Sequence, residues 1–289
     1  MTELPRRDFL GGLLAAAAPP PAAAGIRVGC QTRVYGVPIR DTRKLLSILD
    51  DLRAAGYQGF ETNFASLEAS FADPAPLRAE FEKRGVGLIG LHLGARLTQP
   101  DQIEKEQARI ERVARAVKGF GGTHLVLSGS GIPTTAGGRL DLEILKRKAR
   151  EFSRAGKICR DLGIRLASHN HLQETERNGE EMIAVLSATD PQLVSLLLDI
   201  GYTHLARLDA PAFIQKYGAR IDGFHVRDYR GKQEAPMGQG EVDLRGLARA
   251  LAETRWAGWV ILEMNTMREV SSRDLAAGAR AYMKKEMNF

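Results

Sequence analysis

The sequence predicts an α/β chain folded as a single-domain (β/α)8 barrel, and three observations predict it. From Gly25 onward, short apolar, β-branched runs alternate with longer segments of helical periodicity. Eight such pairs follow one another in the chain, and eight units in roughly 250 residues is the usual size of that barrel. No Gly-x-Gly-x-x-Gly turn follows the first apolar run, which disfavours an open doubly wound sheet.

The eight strand-like runs are IRVGCQT from Ile26, YQGFETN from Tyr57, VGLIGLHL from Val86, THLVLS from Thr123, IRLASHN from Ile164, LVSLLLD from Leu193, IDGFHVRD from Ile221 and WVILEMN from Trp259. Between them lie amphipathic segments such as TRKLLSILDDLRAAG, QARIERVARAVKGFG and LRGLARALAETRWAG. Each of these three ends in Gly, the residue that closes a helix in the left-handed conformation without steric cost. No Gly-, Ser- or Pro-rich linker divides residues 25–289, so a second domain is not expected. TERNGEE and RGKQEAPMGQGEVD read as the longer loops.

A composition of 44% hydrophobic and 26% charged residues belongs to a folded, soluble protein. The net charge of +6 is spread over helical segments of both signs, with no basic block and no interleaved aromatics, so a nucleic-acid partner is not expected. A small anionic substrate is compatible with that charge. Cys30 and Cys159 cannot build a disulfide framework or a cysteine metal cage; two buried thiols or one bridge are the alternatives.

Residues 1–24 read as an export signal. Arg6 and Arg7 precede Phe9 and Leu10, a short apolar stretch follows, and Ala22-Ala23-Ala24 offers a small-residue cleavage site before Gly25. The stretch resembles a twin-arginine signal, with Pro5 where Ser or Thr is more usual. It is too short and interrupted to span a bilayer. The expectation is a periplasmic protein without stable membrane insertion, and a homo-oligomer is left open.

In a (β/α)8 barrel, reactive side chains project from the C-terminal ends of the strands. Run two ends in Glu61 and Asn63, run three in His92, run five in His169, Asn170 and His171 with Glu174 just beyond, and run six in Asp199. Run seven carries His225, Arg227 and Asp228, and run eight carries Glu263 and Asn265. Singly, such a His is an ordinary buried hydrogen-bonding residue and such an Asp an ordinary helix cap. Together they crowd one rim with carboxylates that repel one another and cost several kcal/mol to bury. One divalent cation, Mn, Mg, Co or Zn, would neutralise them and leave positions for substrate. His169 and His171, two apart on an extended strand, would point the same way and Asn170 the other.

The motifs HNHLQE, LLLDIGY, FHVRD and ILEMN, in this order and spacing, resemble the xylose-isomerase-like TIM-barrel family of sugar isomerases and epimerases, with its inosose dehydratase branch nearest. That resemblance implies one divalent metal held by Asp199, His225 and Glu263, with the strand-five ligand either His169 or Glu174, the latter slightly favoured. Tyr202 departs from the family pattern, which often has His at that turn, so chemistry depending on that His is either absent or moved to His204. The resemblance further implies a sugar or polyol substrate and an enediolate intermediate. His169 or Glu174 would remove the proton, and Glu263 or His171 would return it or protonate a leaving group; Glu61, His92, Asn170, Arg227 and Asp228 would contact substrate. The same intermediate serves isomerisation, epimerisation and, as the alternative, dehydration or lyase cleavage of a 3-keto sugar or inosose. A multi-metal phosphodiesterase of the same fold would need more ligands than these, and an exported carbohydrate-binding protein would have little use for an open metal site.

Overall fold

The computed structural model describes residues 25–135 and 138–289; the expected signal at 1–24 lies outside them. Eight parallel strands close into a barrel, and all eight coincide with the apolar runs of the sequence. They are β1 (Ile26–Gln31), β2 (Gly59–Asn63), β3 (Gly87–Gly94), β4 (His124–Ser128), β5 (Arg165–His169), β6 (Ser195–Asp199), β7 (Ile221–Val226) and, after a two-stranded hairpin of β8 (Asp228–Arg230) and β9 (Gln233–Ala235), β10 (Gly258–Leu262). The barrel closes through β1 against β10, from Ile26 opposite Gly258 to Cys30 opposite Leu262.

The helices alternate with the strands: α1 (Thr42–Ala55), α2 (Ala75–Arg84), α3 (Ile103–Gly119), α4 (Leu142–Asp161), α5 (Leu172–Ser187), α6 (Ile200–Leu205), α7 (Ala210–Tyr217), α8 (Leu244–Glu253) and α9 (Ser272–Tyr282). Their first turns are set by short polar side chains. Asp41, Asp141, Asp199, Asp209, Asp243 and Ser271 each accept a backbone N–H of the helix they precede. α1 ends at Gly56 in the left-handed region, as the sequence suggests, whereas α8 stops at Glu253, five residues short of Gly258.

The main apolar core fills the space between strands and helices, with Phe60, Phe81, Phe120, Phe152 and Phe224 fully enclosed. A second cluster, Ile89, Val126, Ala167, Leu197, Trp259 and Ile261, plugs the barrel interior. Gly59 makes room for that plug, because a Cβ there would lie 2.8 Å from Ile89 and 2.9 Å from Trp259. The plug is the floor on which the polar strand ends stand.

Both cysteines are buried free thiols. TERNGEE breaks α5: Glu176 is extended, and Arg177, Asn178 and Gly179 all take positive φ, so the helix is two segments joined by a kink. RGKQEAPMGQGEVD gives Arg230, its turn and β9 to the β8–β9 hairpin and runs on as a loop from Pro236 to Asp243. Among the described residues no helix is long and apolar enough to cross a membrane.

Candidate active site

At the C-terminal mouth of the barrel, β5, β6, β7 and the end of β10 deliver His169, Asp199, His225 and Glu263, all buried, each offering one ligating atom within 4.8 Å of the others. Ligands on opposite sides of one ion with ~2.0–2.2 Å bonds stand about 4 Å apart, so this spacing suits a shared cation. Two imidazoles and two carboxylates suit Zn, Mn or Co, and less strictly Mg. His169 Nδ1 and His225 Nδ1 are buried without an aligned hydrogen bond, although His225 Nδ1 lies 2.9 Å from Glu263 Oε2. Ligating atoms packed together in this way fit a metal.

The supporting contacts fix each side chain. His225 Nε2 lies 3.0 Å from Glu61 Oε2, which leaves Nδ1 to face Glu263. Burial opposes a charge on His225, but Glu61 and Glu263 on either side override it and raise its pKa up to about 10. Asp199 is at once a helix cap and a member of the cluster: Oδ1 accepts from Tyr202 N at 2.9 Å, and Oδ2 receives Arg227 Nη2 at 2.6 Å. Burial raises the pKa of Asp199 against the pull of Arg227. For Glu263 burial acts in the same direction, but Arg227 and His225 outweigh it and hold the carboxyl well below its ordinary range. Burial, helped by His225, keeps His169 well below the ordinary imidazole value, hence neutral as a ligand must be.

The structure does not bring Glu174 into this cluster. Its Oε2 accepts from the backbone of His171 at 3.1 Å, and its Oε1 lies 3.5 Å from Lys148 Nζ. The expectation that favoured Glu174 as the strand-five ligand is corrected: a carboxylate on the first turn of α5 reaches back only as far as the helix cap, and His169 occupies the strand-five position. The ring centroids of His169 and His171 are 5.0 Å apart.

Three of the expected substrate contacts also serve the scaffold. Asp228 spends its carboxylate on the backbone amides of Tyr229, Gly238, Gly240 and Val242, closing the MGQG turn; a short side chain at the base of a hairpin meets its own turn before it meets a ligand. Asn170 accepts from Asp199 N at 2.9 Å and donates to Thr175 Oγ1 at 2.8 Å, on the side away from the cavity. Glu61 is fully buried behind His225 and His92, whose Nδ1 lies 3.5 Å from Glu61 Oε1. His92 and Arg227 do line the site.

A cavity of about 260 Å³ opens over the cluster, and His92, His171, Arg227 and Glu263 reach it together with Gln31, Arg33, Asn63, Ser128 and Tyr202. Gln31, Arg33 and Ser128 were not foreseen, although the strand-end rule applied to runs one and four would have pointed to Gln31 and Ser128. Arg227 pairs with Asp199 and Glu263 and, through Nη1, with Glu234 on β9 at 3.0 Å, and its guanidinium lies 5.0 Å from the Tyr202 ring centre.

The family described as "Xylose isomerase-like TIM barrel" matches residues 49–286. An inosose dehydratase of Bacillus velezensis is 25% identical over 274 residues, covering 84% of this chain and 89% of that one. Among solved structures, an L-ribulose 3-epimerase superposes with a TM-score of 0.77 at 17% identity, over 91% of this chain and 95% of that chain. An IOLI protein with a bound zinc atom gives 0.76 at 17% identity, over 91% and 98%. At those identities the two structures speak to the fold alone.

Proposed function

Because the chain belongs to the xylose isomerase-like TIM barrel family, we propose that it is a divalent-metal-dependent enzyme that enolises a small sugar or keto-polyol, leading to isomerisation or epimerisation. The observation that carries this reading is the convergence of His169, Asp199, His225 and Glu263 beneath a polar cavity of sugar-ring size. A bound divalent cation would polarise a substrate carbonyl and stabilise the enediolate left by loss of the neighbouring proton.

The chain's own residues supply the rest. His171 stands on the cavity wall, outside the four-residue cluster, with its ring 5.6 Å from that of Tyr202; it is the group placed to take a proton from a substrate carbon. His92 faces the same space from another strand, with Nε2 3.2 Å from Ser128 Oγ, so it can hand a proton back, while Glu263 stays ionised as a ligand. Gln31, Asn63 and Arg227 are available to orient hydroxyls. The Glu61 carboxylate fixes the tautomer of His225.

A second reading, elimination of water or an alkoxide from a 3-keto sugar or inosose, draws support from the asymmetry of these groups. His171 beside Tyr202 and His92 beside Ser128 stand in different surroundings, which suits one base and one acid of different strength better than two equivalent bases. The likeness to inosose dehydratases favours the same reading. The test common to both is exchange of a substrate α-proton in deuterated water with metal and with chelator, across aldoses, ketoses and inososes. Metal-dependent exchange is expected, and the product then separates isomer or epimer from dehydrated enone. No exchange with any of them refutes enolisation and favours a binding protein. Export remains part of the proposal: residues 1–24 fused to a reporter should carry it out of the cytoplasm only in cells with a working twin-arginine route.

A further inference from the structure

The cations around the cavity are not equivalent. Arg227 is spent on Asp199, Glu263 and Glu234. Arg33, in the turn after β1, also lines the cavity but has no carboxylate partner among the described residues. Its Nε donates to Asn265 Oδ1 at 2.7 Å. Asn265 is itself held twice by Glu234, which accepts its backbone N–H at 2.8 Å and its side-chain amide at 2.9 Å. The backbone of Arg33 is pinned as well, since its N–H donates to Gln31 Oε1 at 2.7 Å.

A guanidinium held at Nε keeps its two terminal nitrogens as a forked donor, the geometry that takes two oxygens of one carboxylate or phosphate. Each guanidinium contact of Arg227 is to a carboxylate, whereas the one side-chain hydrogen bond of Arg33 goes to a neutral amide, so the Arg33 guanidinium keeps its charge unmatched at the rim.

We propose that Arg33 is a specificity residue that binds an oxyanion carried by the substrate, a carboxylate or phosphate, so that the enzyme acts on an acidic sugar or sugar ester rather than a neutral one. This rests on the sugar-enolising reading for its substrate, but not for its test. A second cationic group, Arg96 and Lys105, lines an adjoining cavity that meets this one at Gly94 and Ser128 but does not include Arg33, and it provides a control.

The experiment is calorimetric titration of the metal-loaded protein and of the chelated protein with inorganic phosphate, D-glucuronate and D-glucose, using wild type, Arg33→Gln, Arg33→Lys and Lys105→Gln. One-to-one binding of at least one oxyanion is expected, weakened ~10-fold or more in Arg33→Gln, only partly restored in Arg33→Lys, and unchanged in Lys105→Gln. A preference for phosphate over glucuronate would identify an ester as the source, and the reverse a sugar acid. Failure of wild type to bind either oxyanion, or equal binding by Arg33→Gln, would overturn the assignment. So would oxyanion binding lost in Lys105→Gln. Arg33-dependent binding without any proton exchange would leave this site standing while the enolisation reading fell.

Discussion

Replacing Glu61 by Gln tests whether the carboxylate behind His225 tunes the cluster or touches the substrate. The side chain is fully buried, Oε2 lies 3.0 Å from His225 Nε2, and Oε1 lies 3.5 Å from His92 Nδ1. Gln preserves the shape and can still accept one hydrogen bond, so the loss is the charge. A hydrogen bond to a charged group contributes about 1.5–3 kcal/mol and a neutral one about 1, leaving a deficit of roughly 1–2 kcal/mol, or about 5- to 30-fold in metal affinity. That agrees with the roughly 10- to 100-fold effect of removing the partner of a ligating His. The assay is competition for Zn or Mn against a chelator of known affinity, with circular dichroism confirming the fold. Unchanged metal affinity in Glu61→Gln, with a raised KM instead, would refute the positioning role and return Glu61 to the substrate.

Three further outcomes are expected. Asp199→Asn keeps the cap to Tyr202 but loses a ligand charge, and Glu263→Gln loses another; both should purify folded with metal content near zero, measured by elemental analysis, and full occupancy in either would count against that ligand. Lys148→Met should lower stability by about 3–5 kcal/mol in urea unfolding, because Lys148 is buried, with Nζ 2.5 Å from Glu181 and 3.5 Å from Glu174, and its loss leaves two buried carboxylates unpaired. Burial also holds the His124 pKa below its ordinary value of 6.5. The unfolded chain therefore binds that proton more readily, so this contribution weakens the fold as pH falls below about 6.5 and levels off once the folded-state pKa is passed; denaturant midpoints across that range should fall less in His124→Gln than in wild type.

The fold was legible because most of each barrel strand is buried, so each reads as a short, mainly apolar run with its polar residues at the ends, from IRVGCQT to WVILEMN. The rim was partly legible for the same reason: a polar residue that ends such a run stands out, as Asp199 and Glu263 do. Direction and reach were not legible. Glu174 lies five residues past His169 in sequence, yet the helix that begins at Leu172 turns it toward Lys148. Asp228 looked like part of the same polar rim as Arg227, but the turn that follows β9 folds its amides onto it. The tether on Arg33 joins the turn after β1 directly to the segment after β10, a closure over 232 positions that no local pattern encodes.

The hairpin that holds Glu234 has a mechanical consequence. Its base is fastened by four amides to Asp228, and its far strand is stapled to Asn265, so that flank of the mouth behaves as a fixed wall. Arg33 is fastened to the same wall through Asn265, so it stands at the rim of the cavity already held in place when a visiting molecule arrives. Selection by charge would then happen at the doorway, before any bond is rearranged inside.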